Sequence, residues 1–343
     1  MKKFFLFAAL IFVSVSSFAK IWRVNNNVGV TANFTSLQAA HDGAAAGDTL
    51  YLESSPTSYG AVTCSKKLYI IGTGYFLDQN LNLQAFTLPS KVDQIYLNAG
   101  STGSVVEGLS FNGSGVSISV SDVVIRRNNF ASANGTTADY STGAVNINSP
   151  SSNILITQNY GLTISNNGTS TGILITNNYL AYHGYAGETT AGTFLQLSAT
   201  TVAIVKNNIF RRGTVTTYNT NLSNNIMYAG FFTGTGNLVS NNLASGTQFG
   251  TADGNQANVT MANVFIATGT SDNYFQLKPG SPAIGAGFGS TALNPVDAGM
   301  YGGSTPYVLS GMPAIPSIYF FTNQPVGSNS SPISVQIKVR SNN

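Results

Sequence analysis

Ile173-Leu174-Ile175-Thr176-Asn177-Asn178-Tyr179-Leu180 decides the fold of this chain, because the same arrangement returns along the middle of the sequence. Reduced to a pattern, it is an apolar residue, two variable ones, Asn, one variable residue, then usually an apolar one. The copies are Leu109-x-x-Asn112, Ile125-x-x-Asn128-x-Phe130, Ile156-x-x-Asn159, Ile175-x-x-Asn178-x-Leu180, Val205-x-x-Asn208-x-Phe210, Leu222-x-x-Asn225-x-Met227 and Val239-x-x-Asn242-x-Ala244. A weaker copy ends the series at Thr260-x-x-Asn263-x-Phe265. The asparagines are 16, 31, 19, 30, 17, 17 and 21 residues apart. Such a period means one supersecondary unit stacked on copies of itself.

Each unit carries a short β-branched run, such as Val123-Val124-Ile125 or Ile154-Leu155-Ile156, bounded by Gly, Ser, Thr and Asn. These runs are too short for helices and read as strands. Fewer than about 20 residues per step leaves no room for a crossover helix, so parallel strands stack about 4.8 Å apart in a coil. The expected fold is all-β: a right-handed parallel β-helix with a short N-terminal capping helix and a C-terminal β-hairpin tail. The asparagines are expected to occupy the bends, where Asn tolerates a left-handed backbone, and to bond amide to amide from coil to coil. They read as scaffold.

Composition agrees with a solenoid. Of 343 residues, 8% are charged and 43% hydrophobic, with 36 Gly, too apolar and too periodic for a disordered chain. Met1-Lys2-Lys3, an apolar run from Phe4 to Val15 and Ser17-Phe18-Ala19 read as a signal peptide cut near Ala19, which predicts a secreted or cell-surface protein. The run is too short to span a membrane comfortably. Without the leader, 13 basic residues face 12 acidic ones, so the pI near 8.8 does not point to a nucleic-acid partner. Cys64 is the only cysteine and reads as a buried, inert thiol.

The expected organisation is a leader at 1–19, a coil with its N-terminal cap at 20–303, and a Pro-rich segment with a hairpin cap on the last coils at 304–343. Phe34 to His41 reads as the capping helix, with Thr35 or Ser36 as N-cap and His41 on the surface. Gly72-Thr73-Gly74 is a weak phosphate-loop match, because no suitable helix follows it.

Three stretches carry a resemblance to a known family. Ser36-Leu37-Gln38-Ala39-Ala40 through Gly47-Asp48-Thr49-Leu50-Tyr51-Leu52 to Ile71-Gly72-Thr73-Gly74-Tyr75 resembles the opening of right-handed parallel β-helix proteins of the pectate-lyase-like superfamily. Ser281-Pro282-Ala283-Ile284-Gly285-Ala286-Gly287 and Asp297-Ala298-Gly299-Met300-Tyr301-Gly302-Gly303 resemble closing segments of secreted members, notably from Bacteroidetes. The resemblance covers roughly Ser36 to Gly303. It implies a fold rather than an activity, since the superfamily holds lyases, hydrolases, epimerases and non-catalytic surface proteins.

The repeat also marks where it is broken. The steps of 31 and 30 residues insert Ala131 to Gly143 and Ala181 to Gly192, both just after the Asn-x-apolar unit. Insertions in solenoids gather on a binding face. The first holds Asp139 and Tyr140; the second holds Tyr182, His183, Tyr185 and Glu188. Arg211-Arg212 starts at the same edge, and Lys206 shares a column with Arg126, Thr157, Thr176, Ser223 and Ser240 that is expected to face outward. Tyr rings stack on sugars, Arg forks a carboxylate, and His183 or Tyr185 could take a proton with Arg211 or Arg212 nearby.

The residue pattern therefore predicts a non-catalytic binder of extracellular or cell-surface polysaccharide with no cofactor and no metal. The alternatives are a metal-independent lyase acting on a uronate-containing glycan, and a purely structural surface protein. The clustered acidic residues of the superfamily's lyases and hydrolases are missing: Glu107 and Asp122 read as isolated turn residues.

Overall fold

The computed structural model describes residues 19–130, 144–181, 192–269, 272–327 and 332–342. The expected leader, 1–19, lies almost wholly outside them.

Among the described residues, two long sheets of parallel strands form the coil. The first has ten strands, from Ile21–Val24 and Thr49–Leu52 through Ser151–Thr157 and Ser170–Thr176 to Leu238–Ser240. The second has twelve, with a main path from Val62–Cys64 through Tyr160–Asn166 to Leu243–Ala244. This is the parallel β-helix that the step length requires. The first strand, Ile21–Val24, was not legible as a repeat because it carries no asparagine; it pairs with Thr49–Leu52.

Inward residues stack in register. Leu50, Ile70, Val106, Ile125, Ile156, Ile175, Val205 and Leu222 form one continuous column of fully buried side chains in the first sheet. Each such side chain contributes about 1.5–3 kcal/mol of burial, which is why β-branched runs recur at these places. Cys64 joins this core, and burial pushes its thiol up to about 12. The helix Leu37–Gly43 closes the N-terminal end, placing Leu37 and Ala40 in the core, and the Ser36 side chain caps it by accepting from the Ala39 N–H.

His41 is buried rather than on the surface. The Ser65 N–H donates to its Nε2 at 3.1 Å, so the ring proton sits on Nδ1 and points at Asp42 Oδ1, 2.8 Å away. Gly72-Thr73-Gly74 has a packing reason: a Cβ on Gly72 would lie 2.4 Å from the Gly108 carbonyl oxygen of the next coil.

The asparagine column differs in detail from the sequence pattern. Asn128, Asn159, Asn178, Asn208, Asn225 and Asn242 are fully buried. In each, the backbone N–H and Nδ2 both donate to Oδ1 of the next member, and the series ends on Asn255. Asn112 and Asn263 are exposed and outside it. Leu109 takes the first place, its N–H donating to Asn128 Oδ1. The left-handed bend falls one residue earlier than expected, on Arg127, Gln158, Asn177, Asn207, Asn224 and Asn241, with φ between 55 and 59°. The buried amide makes the ladder and its neighbour turns the chain.

The last strand of the coil is Leu243–Ala244, well before Gly303, and most of the chain beyond it runs back along the rod. The bend residues hold this returning strap. Asn224 Oδ1 accepts from Phe288 N, Asn207 donates to Asp297 O, and Asn177 donates to Met300 O and Gly302 O. Gln158 then donates to Pro306 O and Arg127 to Met312 O. The strap covers an apolar outer strip of the second sheet, where Tyr160, Tyr179, Ile209, Ile226 and Leu243 pack with Phe265, Phe275, Ala298 and Met300 in a second core.

The tail, Ser317–Asn323 with Val335–Arg340, is the expected antiparallel hairpin. It lies against the early coils instead of the last ones. Ala85 N donates to Ile318 O and Arg340 to Leu83 O. The returning strap has carried it the length of the rod.

Candidate functional site

Tyr160–Asn166 is an unbroken strand between two broken ones. At its start Tyr160 pairs with Asn129 on one side and Tyr179 on the other. Near its end it pairs with Ala144–Ile147 and with Thr193–Leu197. Both insertions therefore leave and rejoin the second sheet in closely matching register, with one coil between them. Asp139, Tyr140, Tyr182, His183, Tyr185 and Glu188 themselves lie outside the described residues.

Beside those junctions runs an outward row in strict register: Tyr96, Ser117, Asn146, Ser165, Gln196, Thr216 and Thr233. The neighbours of the middle members, such as Val116, Ile118, Ile164, Leu195 and Val215, are buried, so the alternation of a half-buried sheet fixes which side faces water. No carboxylate, guanidinium or ammonium side chain stands in the row. Ser165 donates to Asn146 Oδ1 at 2.7 Å. A cavity of about 470 Å³ opens beside this pair, lined also by Asn148, Ser149 and Asn167. Hydroxyls and amides at a strand spacing of about 4.8 Å can give and accept hydrogen bonds along a rod-shaped ligand. The row was missed from the sequence because its members share a face, not a residue type.

The described cations do not converge as expected. Arg211 pairs in register with Ala181, at the second insertion. Its guanidinium lies 4.8 Å from the Tyr228 ring centroid and 5.8 Å from that of Phe275, over the edge of the second core. Arg212 is buried, with a φ of 65°. Lys206 belongs to the first sheet, across the asparagine bend from Arg211. Its column is in the expected register, yet Thr157 and Thr176 within it are buried rather than facing solvent.

Three of the described acidic residues have structural roles. Glu107 is not isolated: it is buried, takes two bonds from Arg126 at 2.9 and 2.7 Å, and lies 3.3 Å from Arg127 Nη1 and from Ala314 N. Desolvation lowers the Arg127 guanidinium against the pull of Glu107. Asp122 does sit at a turn, with a φ of 60°, accepting from Asn153. Asp272 is fully buried and ties the strap to the early coils through Tyr307 (3.0 Å), Ser310 N (2.6 Å) and Asn80 (2.8 Å). Burial, with Asp272 adding to it, pushes the hydroxyls of Tyr75, Tyr301 and Tyr307 well above the ordinary phenol range.

A larger cleft of about 750 Å³ lies between the first coils, residues 84–88 and the start of the hairpin. Its one carboxylate, Glu53, is already committed to Arg23 and Asn25. Among the described residues, no group of three or more His, Cys, Asp or Glu is placed to hold a metal, and no helix is long and apolar enough to cross a membrane. Compared with models of protein families, with curated proteins and with solved structures, the chain matches none.

Proposed function

We propose that this protein is a secreted β-helix of the pectate-lyase-like kind that binds an extracellular or cell-surface polysaccharide and releases it unchanged. The observation that carries the reading is the placement of both insertions in closely matching register beside the uncharged row from Ser117 to Thr233. A flat face of hydroxyls and amides suits sugar hydroxyls. The loop tyrosines, Tyr140, Tyr182 and Tyr185, supply rings for stacking on pyranose faces. Among the described residues, Glu107 and Asp272 are consumed by structural pairs, which favours binding over chemistry.

A glycan array with the intact protein tests this. Asn146→Ala with Gln196→Ala, and separately Tyr182→Ala with Tyr185→Ala, are expected to weaken retention at least tenfold. Retention unchanged in both variants removes the site, and no retention at all leaves the purely structural reading. New absorbance in the unsaturated-uronate band on pectin, alginate or glycosaminoglycans would instead establish the lyase.

A further inference from the structure

We propose that Asp48 is a built receptor for the α-ammonium group that cleavage of the Ala19–Lys20 bond creates, so that removing the leader completes the first coil. The proposal rests on the leader reading made from the sequence.

The backbone nitrogen of Lys20 donates to Asp48 Oδ1 at 2.8 Å. The other oxygen, Oδ2, accepts from the Trp22 indole at 2.8 Å and from Ala45 N at 2.9 Å. On its far side the Lys20 carbonyl accepts from Thr49 N at 2.8 Å, which fixes the position of residue 20 within the first sheet. The Lys20 Nζ sits 3.5 Å above the Trp22 ring and is bonded to neither carboxylate oxygen, though its charge also helps to lower the Asp48 carboxyl. Asp48 is 4% exposed, whereas Ala19 and Lys20 are both exposed, so the bond between them is open to a peptidase. Desolvation raises the Asp48 carboxyl, but the Lys20 N–H, the Trp22 indole and the Ala45 N–H outweigh it and leave it below the ordinary range.

A signal peptidase would hydrolyse this bond with one water. The C–N bond breaks, the water's OH joins the Ala19 carbonyl carbon and its other hydrogen joins the Lys20 nitrogen, which keeps its amide hydrogen. The proton of the new carboxylic acid then passes through solvent to the amine, leaving a carboxylate and an ammonium. A neutral amide donor is replaced, in the same place, by a cation. A charge-assisted hydrogen bond of this kind is about twice as strong as its neutral counterpart.

The test uses the chain from Lys20 to Asn343, released from a fusion so that Lys20 comes first, and the same chain with a Gly-Ser extension. Each is made with Asp48 and with Asp48→Asn. Melting is followed through Trp22, the single tryptophan. The free Lys20 form should melt about 1–2 °C higher than the extended form, and the gap should vanish with Asp48→Asn. An absent gap, or the same gap in both backgrounds, overturns the proposal. Should Asp48→Asn fail to fold, acylation of the Lys20 α-amine is read by mass spectrometry. It should be at least tenfold slower in the folded chain than in urea, and equal rates overturn the proposal. N-terminal sequencing of exported protein separates the two ideas. A start elsewhere removes the cleavage point and the proposal with it, whereas Lys20 first without a melting gap removes the proposal alone.

Discussion

Asn159 gives both its backbone N–H and its Nδ2 to a single oxygen, Oδ1 of Asn178 in the next coil, at 2.9 and 3.0 Å. The same Nδ2 also satisfies two carbonyls, Ile125 O and Thr157 O. Every polar atom of the buried amide is therefore used, which is the condition for holding a polar column inside an apolar coil.

Asn178→Ala should cost at least about 3 kcal/mol, because it strands the Asn159 backbone N–H and takes the Asn178 amide donor from the carbonyls of Ile156 and Thr176. Asn112→Ala and Asn263→Ala, which share the sequence pattern but are exposed, should stay within about 0.5 kcal/mol. Urea unfolding of the three variants checks the contrast, and equal costs would contradict the ladder.

The bend residue carries a different constraint. Asn177 has a φ of 56° and holds the strap at Met300 O and Gly302 O. Both Asn177→Gly and Asn177→Ala lose the strap bonds and the acceptor of the Thr176 hydroxyl, and only the alanine also meets the left-handed penalty. The alanine variant should be about 1 kcal/mol the less stable of the two in the same unfolding experiment.

Glu107 joins two adjacent arginines to the strap. Glu107→Gln should destabilise the fold by about 3–5 kcal/mol, since it leaves partly buried guanidinium groups without their counter-charge. Limited proteolysis should then open the strap near Ala314, whose N–H would face a neutral amide in place of the carboxylate.

The pH dependence comes from acids raised by burial. A thiol that folding raises to about 12 holds its proton more tightly when folded. Its stabilising effect is complete below the free thiol range near about 8.5 and is lost as pH climbs from there toward 12. Cys64 should resist alkylation at about pH 8 until the chain unfolds. Tyr75, Tyr301 and Tyr307 act in the same direction. Ultraviolet titration should find them unionised at about pH 11 while the fold persists; early tyrosinate absorbance from these residues would contradict the buried network.

Much of the coil was legible because its forces are local and periodic. Ile125, Ile156 and Ile175 announce the inward column by their spacing, and the steps of 31 and 30 residues locate the breaks in the second sheet. The site was half legible for the same reason. Junctions such as Ala144 and Thr193 can be placed from the count, while the row of Ser117, Asn146, Ser165 and Gln196 needs the register of four coils. Misplacing Asn255 as Asn263 shows the limit: the last ladder step is 13 residues, shorter than any repeat before it.

By itself the sequence determined that this chain stacks parallel coils around β-branched columns, with a ladder of asparagines at the bends, because each coil repeats the same short-range pattern. Only the tertiary structure decided where the chain goes afterwards. The strap meets Asn177 across 123 residues and Tyr75 meets Tyr307 across 232. Contacts of that range depend on an apolar strip left on the outside of the second sheet, which Tyr160, Tyr179 and Ile226 create only once they are stacked. No period in the sequence records them, because the covering segment does not itself repeat.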